Sequence, residues 1–137
     1  MYKQIVIVRR DLGMSPGKLA SQVSHTSMAF LSWFIRNNVD IDGHVDGYID
    51  ENVLHNWIEG EFTKVVLQAR NKNHLLKAKT MAEELGMKEG EDLFLIRDNC
   101  HTELEPEEDG RTLTCIGFKP MDADLIDKIG RKYQLYR

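Results

Sequence analysis

Two short stretches hold the residues whose types and spacing could do chemistry. In the first, Lys18, Gln22 and His25 recur at helical spacing, so all three share one flank of a helix. Lys18 would sit in that helix's first turn, where a cation opposes the helix dipole at a cost of roughly a few tenths of a kcal/mol. A sequence tuned only for stability would favour Asp or Glu there. Gly13 and Gly17 flank the lysine and would let backbone amides approach an anion closely. In the second stretch, Asp98 and Thr102 lie four residues apart. A carboxylate beside a hydroxyl can orient that hydroxyl, or a water.

Other chemistries lack their residues. No GxxxxGK[ST] or GxGxxG is present, nor a GxSxG turn, and the five histidines show no HExxH or other zinc spacing. Asp40-Ile41-Asp42-Gly43 resembles the start of a calcium loop, but Asn52 stands where that motif needs a glutamate. The run Glu105-Pro106-Glu107-Glu108-Asp109 reads as a solvated acidic turn that would repel a phosphate backbone.

The elements that must position these residues follow from periodicity. Residues 3–9, 62–69, 92–97 and 111–118 read as strands, short and rich in β-branched residues. Ser15 caps a helix that has Pro16 at its first position and runs to about Arg36. Leu19, Val23, Phe30 and Phe34, with Ala20 and Leu31 beside them, form its core-facing stripe; Lys18, Gln22, His25 and Ala29 fall on the adjacent flank. Residues 37–48 read as a surface excursion, and 49–58 as a short helix with Ile49, Val53, Leu54 and Trp57 inward. Asn71 caps a helix through Leu85, ended by Gly86, and Asp122 caps the last helix. Helices alternating with the early strands imply parallel crossovers and a covered sheet, while the two adjacent late strands can pair antiparallel. The class is therefore α/β with a mixed sheet. Ligands gather beyond the carboxyl ends of parallel strands. If the first and third strands run the same way, the Asp11–Lys18 and Asp98–Glu103 loops meet there.

A chain of 137 residues fits one domain, 1–137, and 42% hydrophobic with 29% charged residues is ordinary for a soluble protein. No apolar run approaches the roughly 20 residues a membrane span needs. The first strand follows the N-terminus directly, without a signal-peptide pattern. Cys100 and Cys115 form no CxxC, and two free thiols fit a reducing compartment, so a cytoplasmic location is expected. Cys115, inside a strand pattern, reads as a small core residue. The net charge of −4 weighs against a nucleic-acid partner unless a local basic patch exists.

The stretch from Val6 to His25, with Arg9-Arg10-Asp11-Leu12-Gly13-Met14 and Gly17-Lys18-Leu19-Ala20-Ser21-Gln22-Val23-Ser24-His25, resembles the type 2 peptidyl-tRNA hydrolases. That family reads R-x-D-L-x-M-x-x-G-K-x-A-x-Q-x-x-H there. Thr114-Cys115-Ile116-Gly117, the segment Pro120–Lys128 and Leu135-Tyr136 resemble its final strand, last helix and closing residues. The resemblance covers nearly the whole chain except about residues 37–60, which it marks as a family-atypical insertion.

It implies a mixed four-stranded sheet with helices on both faces, and hydrolysis of the ester joining a peptidyl group to tRNA. It implies no metal or organic cofactor, and it leaves room for a homodimer. It carries catalytic roles onto Lys18, Asp98, Thr102 and His25. Substrate contacts are expected at Gln22, Gly17, Arg9, Arg10, His101 and Lys119, with Lys128, Arg131 and Lys132 as further stations on a phosphate track. On this reading Asp98, with Thr102, activates water, while Lys18 and nearby amides hold the oxyanion. One departure concerns the site: where the family reads D-A-G-R-T followed by Q or E, this chain has Asp98-Asn99-Cys100-His101-Thr102-Glu103. An arginine that could meet phosphate is gone, with His101 a partial substitute, and a turn glycine has become Cys100. A non-catalytic tRNA- or protein-binding module and a hydrolase of a related acyl ester are the competing readings.

Overall fold

The computed structural model describes residues 1–137. Strand β1 (Tyr2–Arg9) leads through a short 3-10 turn to helix α1 (Pro16–Asn38). Helix α2 (Glu51–Val53), which buries Val53, continues as a π-helical turn (Leu54–Ile58) that buries Trp57. Strand β2 (Lys64–Ala69), helix α3 (Lys72–Glu84) and strand β3 (Leu93–Asp98) follow, and then β4 (Thr112–Phe118), β5 (Met121–Asp122), α4 (Ala123–Gly130) and β6 (Gln134–Leu135). No helix is long and apolar enough to cross a membrane.

The four expected strands form in the order β3-β4-β1-β2, and the sheet is mixed as expected. It has six strands rather than four, because β6 pairs with β2 and β5 extends the pairing of β1. Each of these has only two residues, too few to show any alternation. β1 and β2 are parallel, and β4 is antiparallel to both β1 and β3. Hence β1, β2 and β3 all point the same way, and their carboxyl ends share one edge of the sheet.

Helices cover both faces. α3 and α4 enclose the larger core, with Ile5, Ile7, Leu67, Leu75, Ile116, Phe118, Ile126 and Ile129 fully or nearly fully buried. α1 covers the other face over Val6, Val8, Ile96 and Cys115. Its orientation differs from the expected stripe. The buried positions of α1 are Gln22, Thr26 and Ala29, whereas Leu19, Val23, Phe30 and Phe34 are only partly covered. The reason lies in the sheet. Gly117 of β4 has no side chain, and Thr26 packs so closely there that a Cβ at 117 would overlap its Cγ2 and lie 3.2 Å from its carbonyl oxygen. Polar groups on this face are all answered: Gln4 reaches the carbonyls of Ser27 and Phe118, and Ser27 donates to Gln4 Oε1. The helix therefore rests on a close, partly polar seam instead of its most apolar side.

Gly117→Ala should cost about 1–3 kcal/mol, since Thr26 has no space into which to retreat. A lowered urea midpoint with an unchanged slope would register it.

Candidate active site

The loop after β1 feeds α1 at the same sheet edge where β3 ends. Ser15 caps α1 through its side chain, with Pro16 in the first turn, which sets the register that points Lys18 inward. Lys18 Nζ donates to Asp98 Oδ1 at 2.7 Å and to Thr102 Oγ1 at 3.1 Å. The two charged side chains are only 12% and 11% exposed, so their attraction is weakly screened. Thr102 itself is exposed, which leaves the cluster open to a ligand on one side.

Asp98 is held from two further directions. Its Oδ2 accepts the Cys100 N–H at 3.0 Å, and Gln22 Nε2 approaches Oδ1 at 3.4 Å. Gln22 is oriented in turn by Thr114, whose hydroxyl donates to Gln22 Oε1 at 2.6 Å. Thr114 can do this because of an irregularity in β4. Ile96 pairs with Cys115 and Arg97 with Leu113, so Thr114 is an extra residue. Cys115 packs under α1, and the bulge turns Thr114 to that face as well, as bulges beside active sites often do. Gln22, expected to touch substrate, is instead buried and steadies the carboxylate.

The altered loop keeps its turn. Cys100, where the resemblance puts glycine, has φ +62°, a left-handed conformation that costs a non-glycine residue roughly 1–2 kcal/mol. That strain is spent on the N–H that fixes Asp98. A second tie was not foreseen. Glu103 accepts hydrogen bonds from the Ser15 hydroxyl at 2.6 Å and the Ser15 N–H at 2.9 Å. These two bonds hold the Glu103 carboxyl below its usual range and join the 98–103 loop to the first turn of α1. The only sequence signal was the acidic or amide residue that follows the threonine in the resembling loop.

The remaining expected residues scatter. The space over Gly17 is open, with nothing within 4 Å of where a Cβ would stand. Arg10 is exposed on the rim, its guanidinium 5.1 Å from the ring centre of Tyr136. His25 and His101 are exposed and bond to none of Lys18, Asp98 or Thr102. Two expectations need correction. Arg9 is buried and committed to Asp11, Glu107 and the Leu113 carbonyl, so it anchors the acidic turn instead of meeting phosphate. Lys119 follows the end of β4, which runs opposite to β3, so it lies at the far edge and pairs with Asp92 at 2.6 Å. Arg131 folds back onto the carbonyl of Asp127. Cys115 is a buried core residue whose thiol burial pushes up to about 11. Asp40 uses its carboxylate to accept the N–H groups of Asp42 and His44, a turn rather than a calcium loop.

A lysine, a carboxylate and a hydroxyl thus converge where the parallel strands of an α/β fold end. The family model described as Peptidyl-tRNA hydrolase PTH2 matches residues 2–136, and the chain belongs to that family. It is similar to a peptidyl-tRNA hydrolase of Methanopyrus kandleri, 36% identical over 137 residues and the whole of both chains. A peptidyl-tRNA hydrolase of Thermoplasma acidophilum is 29% identical over 133 residues, 97% of each chain. The protein named peptidyl-tRNA hydrolase 2, mitochondrial, of Bos taurus is 32% identical over 135 residues, 98% of this chain and 64% of the bovine one.

Proposed function

We propose that the Lys18–Asp98–Thr102 cluster is where this chain hydrolyses the ester between a peptidyl group and tRNA. The observation that carries the reading is the pair of bonds from one lysine to a carboxylate and a hydroxyl at 2.7 and 3.1 Å. Lys18 occupies an acceptor site of Thr102, which frees the Thr102 O–H to point at a water. That water gives a proton to Asp98, and its oxygen attacks the ester carbonyl carbon. Lys18 has a third N–H unused by these bonds. With the open Gly17 N–H it would face the oxyanion as charge develops. Collapse breaks the bond to the ribose oxygen, which takes the proton back from Asp98. An ester needs less activation than an amide, so a site without a charge-activated nucleophile suffices. His25 has no part in these steps.

Family membership speaks against a binding-only module. Two unpaired cysteines support a reducing, cytoplasmic setting. Homodimerisation, suggested by the resemblance alone, belongs to the same reading and is tested by sedimentation. The direct test of function is incubation of the purified chain with N-acetylaminoacyl-tRNA and, separately, aminoacyl-tRNA. Release of the blocked amino acid from the first is the expected result. Tight binding of both without release would overturn it in favour of a module, and equal cleavage of the free aminoacyl ester would favour a broader esterase.

A further inference from the structure

A second polar concavity lies on the same sheet edge, toward the opposite face. A cleft of about 410 Å³ is lined by Arg70, His74, Lys77, Lys132 and Tyr133 among others, and an adjoining one of about 220 Å³ shares Arg70, His74 and Lys132 and adds Gln134. No carboxylate lines either. Arg70, Lys77 and Lys132, like most Lys and Arg side chains of this protein, have no acidic partner within 4 Å; what sets them apart is that they share one cleft without a carboxylate. In a chain with 22 acidic and 18 basic side chains, three cations left free around one cleft are a local reversal of the overall charge.

The cleft is also organised. The His74 ring stacks on Tyr133 with centres 4.5 Å apart, and the Tyr133 hydroxyl donates to the His74 carbonyl at 2.7 Å. His74 Nδ1 accepts the Arg70 N–H at 2.9 Å, so the proton of the neutral ring sits on Nε2, a fixed donor. Burial first, then the charges of Arg70 and Lys77, keep the ring below its ordinary pKa.

Position gives this patch a meaning. Arg70 directly follows Ala69, the register partner of Arg9, at the carboxyl end of β2. Three strand spacings, roughly 14 Å, separate β2 from β3 and Asp98. The exposed Arg10 stands on the rim between them, while the acidic turn at Glu107 closes the route beside it through Arg9 and Lys72. We propose that the Arg70–His74–Lys77–Lys132 cleft is a phosphate-backbone subsite that holds the tRNA body while its terminal ester lies at Lys18, Asp98 and Thr102. This rests on the function proposed above and supplies the local basic footprint that the net charge conceals.

The test compares R70Q/K132Q with R36Q/K88Q, which removes the same charge from exposed positions elsewhere. Affinity for deacylated tRNA is measured between 50 and 200 mM salt. Each lost phosphate contact lowers the slope of log K against log salt by about 0.7–0.9, so R70Q/K132Q should lower it by about 1.4–1.8 while R36Q/K88Q leaves it unchanged. R70K/K132R, which keeps both charges, should restore it. In parallel, the ratio of kcat/KM on N-acetylaminoacyl-tRNA to that on an N-acetylaminoacyl ester of adenosine should fall about tenfold or more in R70Q/K132Q alone. An unmoved slope and ratio, or equal changes in both glutamine variants, would overturn the subsite. Failure of the unaltered protein to cleave either ester would instead overturn the functional reading, with the salt slope still deciding the cleft.

Discussion

Asp98→Asn should lower kcat on N-acetylaminoacyl-tRNA by about 10²–10⁴-fold, the usual worth of a positioned general base. Asparagine has the same shape and keeps an oxygen for the Cys100 N–H or for Lys18, but it cannot take the proton of the attacking water. It also places an amide N–H₂ among the three donors that now converge on the carboxylate, from Lys18, Gln22 and Cys100. One of them loses its acceptor, at a cost to stability of about 1–3 kcal/mol. Substrate affinity should change far less than turnover, because the free cations lie elsewhere. Single-turnover rates at saturating enzyme separate the two, and urea unfolding confirms that the variant is folded.

The second large effect is expected at Lys18. Lys18→Met keeps an unbranched chain that suits the helix and removes the charge opposed to its dipole, a gain of roughly 0.3–1 kcal/mol for the first turn. Against that gain stands Asp98, left 11% exposed with only Cys100 and Gln22 as donors. Turnover should fall about 10²–10³-fold, the equivalent of roughly 3–4 kcal/mol for a lost oxyanion donor. Lys18→Arg should not rescue it. The planar guanidinium is bulkier and cannot put one nitrogen between Asp98 Oδ1 and Thr102 Oγ1 while turning a third proton to the substrate. Rates of release from N-acetylaminoacyl-tRNA read both variants. Wild-type turnover in Lys18→Met would remove the lysine from the chemistry.

Much of this site was legible because it depends on chain direction. The Ser15 cap and Pro16 fix where α1 begins, and parallel crossovers bring its first turn to the end of β3. Lys18, Asp98 and Thr102 followed from that topology together with the family resemblance. Residues whose role depends on a single packing contact were not legible. Thr114 reaches Gln22 only through a bulge, and no periodicity announces an inserted residue. The rotation of α1 toward Gln22, Thr26 and Ala29 depends on the missing side chain of Gly117, with α2, β2, α3 and β3 lying between them in the chain. Arg9 was read as a phosphate contact although strand alternation sets it with Ile5 and Ile7, on the face that α3 and α4 cover. Lys119 was misplaced because β4 runs opposite to β3, which carries its end to the far edge. The Arg70–Lys132 cleft draws on β2, α3 and the end of α4, so only the folded chain assembles it.

If Lys18 and Asp98 act as one unit on one transition state, their losses cannot multiply. The measurement is kcat for N-acetylaminoacyl-tRNA in Lys18→Met, Asp98→Asn and the double variant, with each confirmed as folded. The double variant should be no more than about threefold slower than the worse single variant, an interaction expected for side chains in direct contact. Losses that multiply, so that the double variant falls by the product of the two, would mean that Lys18 and Asp98 contribute independently and would contradict a shared site.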